Sequence, residues 1–327
     1  VDRLISLIAN CKAPPALTHM LTTGYLTPTN KIPYKEQTER IEAGHDPLVR
    51  PVNSGSCILK AALRLAAASP SGTKAIRSLQ PVQFGQGVRS GPELVTHLAR
   101  ALNKLGYIIT TQDVVNAFNA MNRQALLDTV HTKWPEAVNI FNTYYGIDSD
   151  CLYASIADNA EFIYHIFLSK QGTRMGCVLG TIGFNLVADI VYRHMTTKFP
   201  HFELFSLTDD CISGIPPPPN GDNSTEAWTG RLAEYTDYLA EYDSIGNPLG
   251  LFRHGSKGWA QLPPNVPLDL DNYPLPGTQT TRDQIKLAGT YVGPDAGVKQ
   301  GTANRLAVAH DRFKAITEVG KAEPKWD

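Results

Sequence analysis

Apolar and polar positions follow two rhythms along this chain, one helical and one alternating. Residues 59–68 read Leu-Lys-Ala-Ala-Leu-Arg-Leu-Ala-Ala-Ala and stop at Ser69-Pro70-Ser71-Gly72, which predicts a helix with a sharp end. Residues 91–104 predict a second helix, with Leu94, Leu98 and Leu102 on one face and Pro92 in its first turn. The β-branched run at 107–111 predicts a strand, as does 162–168. Helices are expected at 123–133, apolar at Leu126, Leu127 and Val130, at 183–195 as a buried helix, and at 226–242 as an amphipathic one. Residues 202–207 and 211–215 read as the two arms of a hairpin around Asp209-Asp210, and 285–292 as a short strand. The prolines at 216–219, followed by Asn-Gly-Asp-Asn-Ser-Thr, mark a surface loop. Helices and strands interleave without a regular βαβα rhythm, so the expected class is α+β.

Composition narrows the function classes. With 327 residues, 42% apolar and 19% charged, the chain is an ordinary globular sequence long enough for two domains or one large one. No uncharged apolar run reaches the ~18 residues a membrane span needs, so no membrane partner is expected. The N-terminal stretch carries Asp2 and Arg3 without a cleavage pattern, so no signal peptide is expected, and the initial Val1 suggests a piece of something longer. The five cysteines are scattered and form no CxxC pair, which argues against a zinc site or a disulfide framework and for a reducing compartment, nucleus or cytoplasm. Asn223-Ser-Thr225 matches a glycosylation sequon, but without a secretory signal it reads as plain loop. A net charge of −1 counts against a simple basic nucleic-acid binder. It is compatible with a catalytic domain whose central carboxylates are balanced by a basic groove.

The candidate chemistry starts at Asp209-Asp210, in the run Phe205-Ser-Leu-Thr-Asp-Asp-Cys-Ile-Ser-Gly214. Adjacent carboxylates on a tight hairpin repel each other unless a cation lies between them. Magnesium is usually held by one or two carboxylates, with waters and substrate phosphates completing its octahedron. Asp113, which ends the apolar run before Val-Val-Asn-Ala-Phe118, is the candidate third carboxylate. An Asp-Asp pair by itself is most often a solvated turn. The case therefore rests on the order of several motifs.

Those motifs are Asp113 followed by Asn116-Ala-Phe-Asn119, then Gln171-Gly-Thr-Arg-Met-Gly-Cys-Val-Leu-Gly180 opening a buried helix, then the acidic hairpin, then Gly250-Leu-Phe-Arg-His-Gly-Ser-Lys257, then Leu287-Ala-Gly-Thr-Tyr-Val-Gly293. The series resembles the palm motifs of reverse transcriptases, particularly the eukaryotic non-LTR retrotransposon type. Arg50-Pro-Val and Gln83-Phe-Gly-Gln-Gly-Val-Arg-Ser-Gly-Pro-Glu93 resemble its fingers segments, so the likeness covers roughly residues 45–295. The resemblance implies a right-hand polymerase fold: an antiparallel palm sheet backed by helices, fingers, and a thumb largely absent. The implied division is fingers at 1–105, palm at 106–300 with a fingers insertion near 130–160, and the start of a thumb or connecting helix at 301–327, with a first thumb helix at 305–319. Partners implied are an RNA template, a DNA primer, dNTPs and further domains of a polyprotein.

By the same resemblance, Asp113 and Asp209 hold two magnesium ions, with Mn2+ able to substitute, and Asp210 supports them. Phe118 sits at the aromatic position that packs beneath the incoming sugar and excludes a ribose 2′-hydroxyl. Arg50, with Lys31 as a companion less firmly aligned, pairs with the triphosphate. Lys257 is the candidate general acid for pyrophosphate. Gly172, Gly176 and Gly180 allow the backbone to approach the template base and nucleotide closely. The sequence departs from the family pattern at Met175, where Gln is usual, and at Leu207-Thr208, where an aromatic commonly precedes the acids. Two alternatives stay open. A viral RNA-dependent RNA polymerase is favoured by Thr181 and Asn185 in the helix after the glycines. A retroelement-derived domain that binds nucleic acid without polymerising is favoured by the neutral charge, Met175 and the short C-terminal stretch.

Overall fold

A computed structural model describes residues 2–156 and 161–322. In chain order the elements are α1 (Asp2–Ala9), α2 (Pro15–Thr22), β1 (Gly24–Asn30), α3 (Tyr34–Glu42), β2 (Val49–Ser54), α4 (Cys57–Ala68), α5 (Pro70–Arg77) and α6 (Gly91–Lys104). These are followed by β3 (Ile108–Gln112), α7 (Ala117–Ala120), α8 (Arg123–Lys133), α9 (Val138–Tyr145), β4 (Ser149–Ile156), β5 (Phe162–Ser169) and α10 (Val178–Lys198). The remainder comprises β6 (Glu203–Leu207), β7 (Asp210–Ile215), α11 (Thr225–Gly246), β8 (Gly258–Gln261), β9 (Thr278–Thr281), β10 (Ile285–Leu287), β11 (Thr290–Val292) and α12 (Asp295–Ala322). The class is α+β, as the interleaved pattern predicts.

The elements form two units, neither contiguous in sequence. One comprises residues 1–87, 114–194 and 242–252; the other comprises 88–113, 195–241 and 253–327. The first holds a mixed sheet in the order β2-β1-β4-β5. Its β1–β2 and β4–β5 pairs are antiparallel and its β1–β4 pair is parallel. Helices supply its core, with Leu63, Leu126, Val130, Trp134, Phe141, Phe184 and Val187 all buried. Asn122 caps α8 by accepting from the Ala125 N–H at 3.1 Å.

The second unit is built on a five-stranded sheet ordered β6-β7-β3-β8-β9. Its neighbours pair antiparallel except β8 with β9, which are parallel, so the expected antiparallel sheet is mixed at one edge. One face is covered by α11, whose buried Tyr235 and Tyr238 reach polar strand residues. Thr110 Oγ1 shares a 2.6 Å hydrogen bond with the Tyr235 hydroxyl, and Ser213 Oγ a 3.2 Å one with Tyr238. These four buried polar side chains are thereby satisfied inside the unit.

Some sequence expectations change in detail. Helix α6 occupies the predicted span, but Val95, Ala99 and Leu102 are buried while Leu94 and Leu98 are exposed. The small Ala99 and Thr96 let the helix lie close to its sheet, which leucine spacing alone does not reveal. The strand expected at 285–292 is a hairpin of β10 and β11, turning at Ala288 and Gly289, both with positive φ (48° and 78°). The helix expected at 305–319 starts earlier, at Asp295.

Candidate functional site

Register places the acidic residues. In the β3–β7 ladder Gln112 stands opposite Cys211, and one step further Asp113 stands beside Asp210. In the β3–β8 ladder Thr111 stands opposite Trp259, and the same continuation sets Lys257 beside Asp113. The three ends thus lie in a row, Asp210, Asp113, Lys257. Strand alternation then sorts the faces. Thr110 and Ser213 point at the α11 tyrosines, Gln112 reaches Tyr235 while also bordering an open cleft of about 890 Å³, and Thr111, Asp113, Asp210, Ile212, Lys257 and Trp259 line that cleft.

Asp210 begins β7 because the hairpin is tight. Leu207 pairs with Asp210, leaving Thr208 and Asp209 as the turn, and Thr208 takes a left-handed φ of 58°. Primed two-residue turns of this kind match strand twist. Asp209 is half-buried at the tip and is not among the residues lining the cleft; Asp210 is exposed and is. Like charges on directly opposed strand positions destabilise a sheet, and Lys257 offsets this with Nζ 3.5 Å from Asp113 Oδ2. The strand end is anchored by backbone and side chain: the His254 N–H donates to the Asp113 carbonyl (2.8 Å), and Gln112 Nε2 donates to Tyr235 (3.3 Å) and Thr278 (3.1 Å). Arg253 Nη1 donates to Gln112 Oε1 at 3.4 Å. Cys211, next to the acids, is a buried residue whose thiol is pushed up to about 12 by desolvation, which keeps it protonated rather than a thiolate ligand.

A hard, oxygen-only donor set suits magnesium. Asp113 and Asp210, sharing one face and one cleft, match its habit of taking one or two carboxylates. Among the described residues no group of three His, Cys, Asp or Glu side chains is already gathered around a common point, so ligands beyond these two carboxylates would have to come from Asp209, water or substrate.

The other predicted residues belong to the first unit. Arg50 pairs with Thr29 in the β1–β2 ladder, and the exposed Lys31 continues that ladder through its N–H to the Leu48 carbonyl (2.9 Å). Lys31 is two residues beyond Thr29, so it and the exposed Arg50 share one face of the hairpin, diagonal to each other. The stretch between them contains α3. Phe118 lies in α7, half-buried, its ring 5.0 Å from that of Phe184.

The glycine-rich segment is knitted to its own unit. Gly172 has φ +63°, and a Cβ there would sit 2.3 Å from the Phe118 carbonyl oxygen. Thr173 N–H donates to that same oxygen at 2.6 Å. Gly176 has φ +97°, with its Cβ position 2.7 Å from the Asn53 oxygen, while Asn53 N–H donates to Met175 O at 2.9 Å. Gly180 packs beside the Tyr145 hydroxyl. These positions need glycine for packing before any ligand is considered. Asn185, the residue favouring an RNA polymerase, is fully buried, with its amide accepting from Gln83 (3.3 Å) and donating to Gln86 (3.0 Å).

Three residues without a sequence motif complete the picture. Arg123, at the start of α8, donates to the carbonyls of Ser169 (2.9 Å), Gln171 (3.2 Å) and Gly172 (3.2 Å), and burial lowers its pKa. Tyr235 and Gln112 support the strand end that carries Asp113. Tyr235 announces itself only as an apolar-face residue of an amphipathic helix, and Gln112 only by adjacency to Asp113.

No family model matches the sequence. The chain is 25% identical over 279 residues to a retrotransposable element SLACS 132 kDa protein of Trypanosoma brucei gambiense, a match covering 83% of this chain and 21% of that protein. Among solved structures, telomerase from Candida albicans, in complex with a TWJ fragment of telomeric RNA, aligns with a TM-score of 0.53 at 10% identity over 87% of this chain and 47% of that one. Apo telomerase from Candida tropicalis aligns with a TM-score of 0.52 at 11% identity over 89% of this chain and 51% of that one. The chain therefore spans about a fifth of the curated relative and about half of each solved chain. The retrotransposon relative supports the reverse transcriptase resemblance read from the motifs, and the telomerase likeness supports it at the level of the fold. Among the described residues no helix is long and apolar enough to cross a membrane.

Proposed function

We propose that this chain is the fingers-and-palm part of an RNA-directed DNA polymerase that adds dNTPs to a primer 3′-hydroxyl on an RNA template. The observation that carries the reading is the row Asp210, Asp113, Lys257 on one open face, with Lys257 Nζ 3.5 Å from Asp113. By the family resemblance, residues 106–300 serve as palm and residues 1–105 as fingers. Asp113 and Asp210 are metal ligands from neighbouring strands. Asp209, which the family resemblance assigns as a ligand, completes the acidic set from the turn. When bound, two magnesium ions, or manganese, supply activation of the 3′-hydroxyl and neutralise charge developing on pyrophosphate.

Everything else is done by side chains. Lys257 holds Asp113 until substrate arrives, then donates its proton to the departing pyrophosphate. Arg50 and Lys31, on one face of a hairpin, offer two cations to the triphosphate, with the guanidinium fork suited to paired phosphate oxygens. Phe118 packs beneath the sugar and rejects the 2′-hydroxyl by volume. Positioning and charge stabilisation, with no covalent intermediate, lower the barrier.

The test is addition to a DNA primer annealed to an RNA template, with dNTPs or rNTPs and with or without chelator. The reading expects chelator-sensitive addition of dNTPs only. Addition of rNTPs at comparable rates would favour the RNA polymerase alternative. Tight primer–template binding without addition of either would favour a binding-only domain.

A further inference from the structure

Strand β5 is the outer strand of its sheet, hydrogen-bonded to β4 along one side over all eight residues. It reads Phe-Ile-Tyr-His-Ile-Phe-Leu-Ser, and Phe162, Ile163, Tyr164, Ile166, Phe167 and Leu168 are each between 46% and 66% exposed. Natural edge strands are usually protected by lysine, proline, a bulge or extreme shortness. None of these devices interrupts β5. Alternation places Phe162, Tyr164, Ile166 and Leu168 in one continuous apolar row, with Leu152 and Ala154 of β4 beside Ile166 and Tyr164 on the same face.

We propose that this edge is a homodimer interface in which β5 pairs antiparallel with β5 of a second copy about a two-fold axis at Ile166. The symmetry fixes the register. A two-fold axis relating antiparallel neighbours stands perpendicular to the sheet, so each residue meets one from the same face of the other copy. Centred on Ile166, it sets Tyr164 against the partner's Leu168 and Ile166 against the partner's Ile166. Centring on His165 would instead oppose two imidazoles. No Asp, Glu, Lys or Arg lies within β5 to repel its own copy.

The area is at the lower limit for a specific pair. Phe162, Tyr164 and Phe167, each more than half exposed, offer roughly 300 Å² per copy, taking aromatic side chains at ~150–250 Å² when whole. With the exposed parts of Ile163, Ile166 and Leu168 and the open backbone edge, the two copies together offer on the order of 1,000 Å², the size at which specific interfaces begin, so the dimer is a weak one.

Sedimentation equilibrium of the chain at micromolar concentration tests this without reference to polymerase activity. The expected result is a concentration-dependent dimer whose Kd rises at least tenfold in Ile166→Lys, with the far-UV spectrum and melting unchanged. In a background with exposed Cys57 replaced by Ser, Ile166→Cys should cross-link to itself on mild oxidation, and Tyr164→Cys should not. A monomer at all concentrations, or a dimer indifferent to Ile166→Lys, overturns the proposal. So does equal cross-linking at the two positions, or a monomer that uses this strand to hold single-stranded RNA.

Discussion

Gly172→Ala is the substitution whose cost can be worked most directly from the geometry. The residue is buried with φ +63°, where an L side chain costs ~1–2 kcal/mol. Its new Cβ would lie 2.3 Å from the Phe118 oxygen and 2.5 Å from the Asn119 carbonyl carbon, both backbone atoms that cannot rotate away. Relieving that overlap means moving α7 or the loop by about an ångström, an overpacking cost of ~1–3 kcal/mol. The Thr173 to Phe118 hydrogen bond stretches in the process, for about another 1 kcal/mol. The sum is ~3–6 kcal/mol, a large part of a domain's usual ~5–15 kcal/mol. Urea unfolding followed by tryptophan fluorescence reads it, because Trp134 is buried in the same unit. Gly230→Ala is the control: its Cβ meets nothing within 4 Å in the middle of α11, so it should gain up to ~1 kcal/mol. If Gly172→Ala loses less than about 1 kcal/mol, the packing account of the glycine segment is wrong.

Three further outcomes follow from buried polar contacts. Asp189→Asn removes the buried carboxylate that holds Lys133 (2.7 Å) and Arg193 (2.8 Å), and should cost about 2–3 kcal/mol in urea unfolding, less than a fully buried pair because both cations are partly solvated. Tyr235→Phe leaves Thr110 and Gln112 short of a partner, and should cost ~1–3 kcal/mol together with a fall in kcat at unchanged primer–template affinity. In the native chain at about pH 8, iodoacetamide should modify exposed Cys57 but not Cys211 or Cys151, which are buried; mass mapping after brief labelling checks it.

The sequence exposes those parts of the molecule where local pattern and tertiary role agree. The hairpin around Asp209-Asp210 and the helix at residues 123–133 are legible because alternation, capping and turn residues point the same way. Helix α6 is legible in extent but not in orientation, since its contact face is made by Ala99 and Val95 rather than by the larger leucines. Strands β1, β2 and β4 escape pattern reading because proline, asparagine and serine interrupt them and their pairing is long-range. Asp113 and Asp210 are visible as candidates from motif order, yet their shared face depends on the β3–β7 register, which no local feature specifies. The glycines at 172 and 176 are visible as a motif, but their neighbours, the backbones of Phe118 and Asn53, come from remote segments.

The central claim is that carboxylates on the open face of the β7-β3-β8 strands carry nucleotidyl transfer. Single-nucleotide addition to an RNA-templated DNA primer, comparing wild type with Asp113→Asn, Asp209→Asn and Asp210→Asn, tests it most directly. Asp113→Asn, Asp209→Asn and Asp210→Asn are each expected to lose roughly a thousandfold in rate while primer–template binding is retained, as follows when charge stabilisation at the reacting centre is removed. An Asp113→Asn chain that adds dNTPs at the wild-type rate would contradict it.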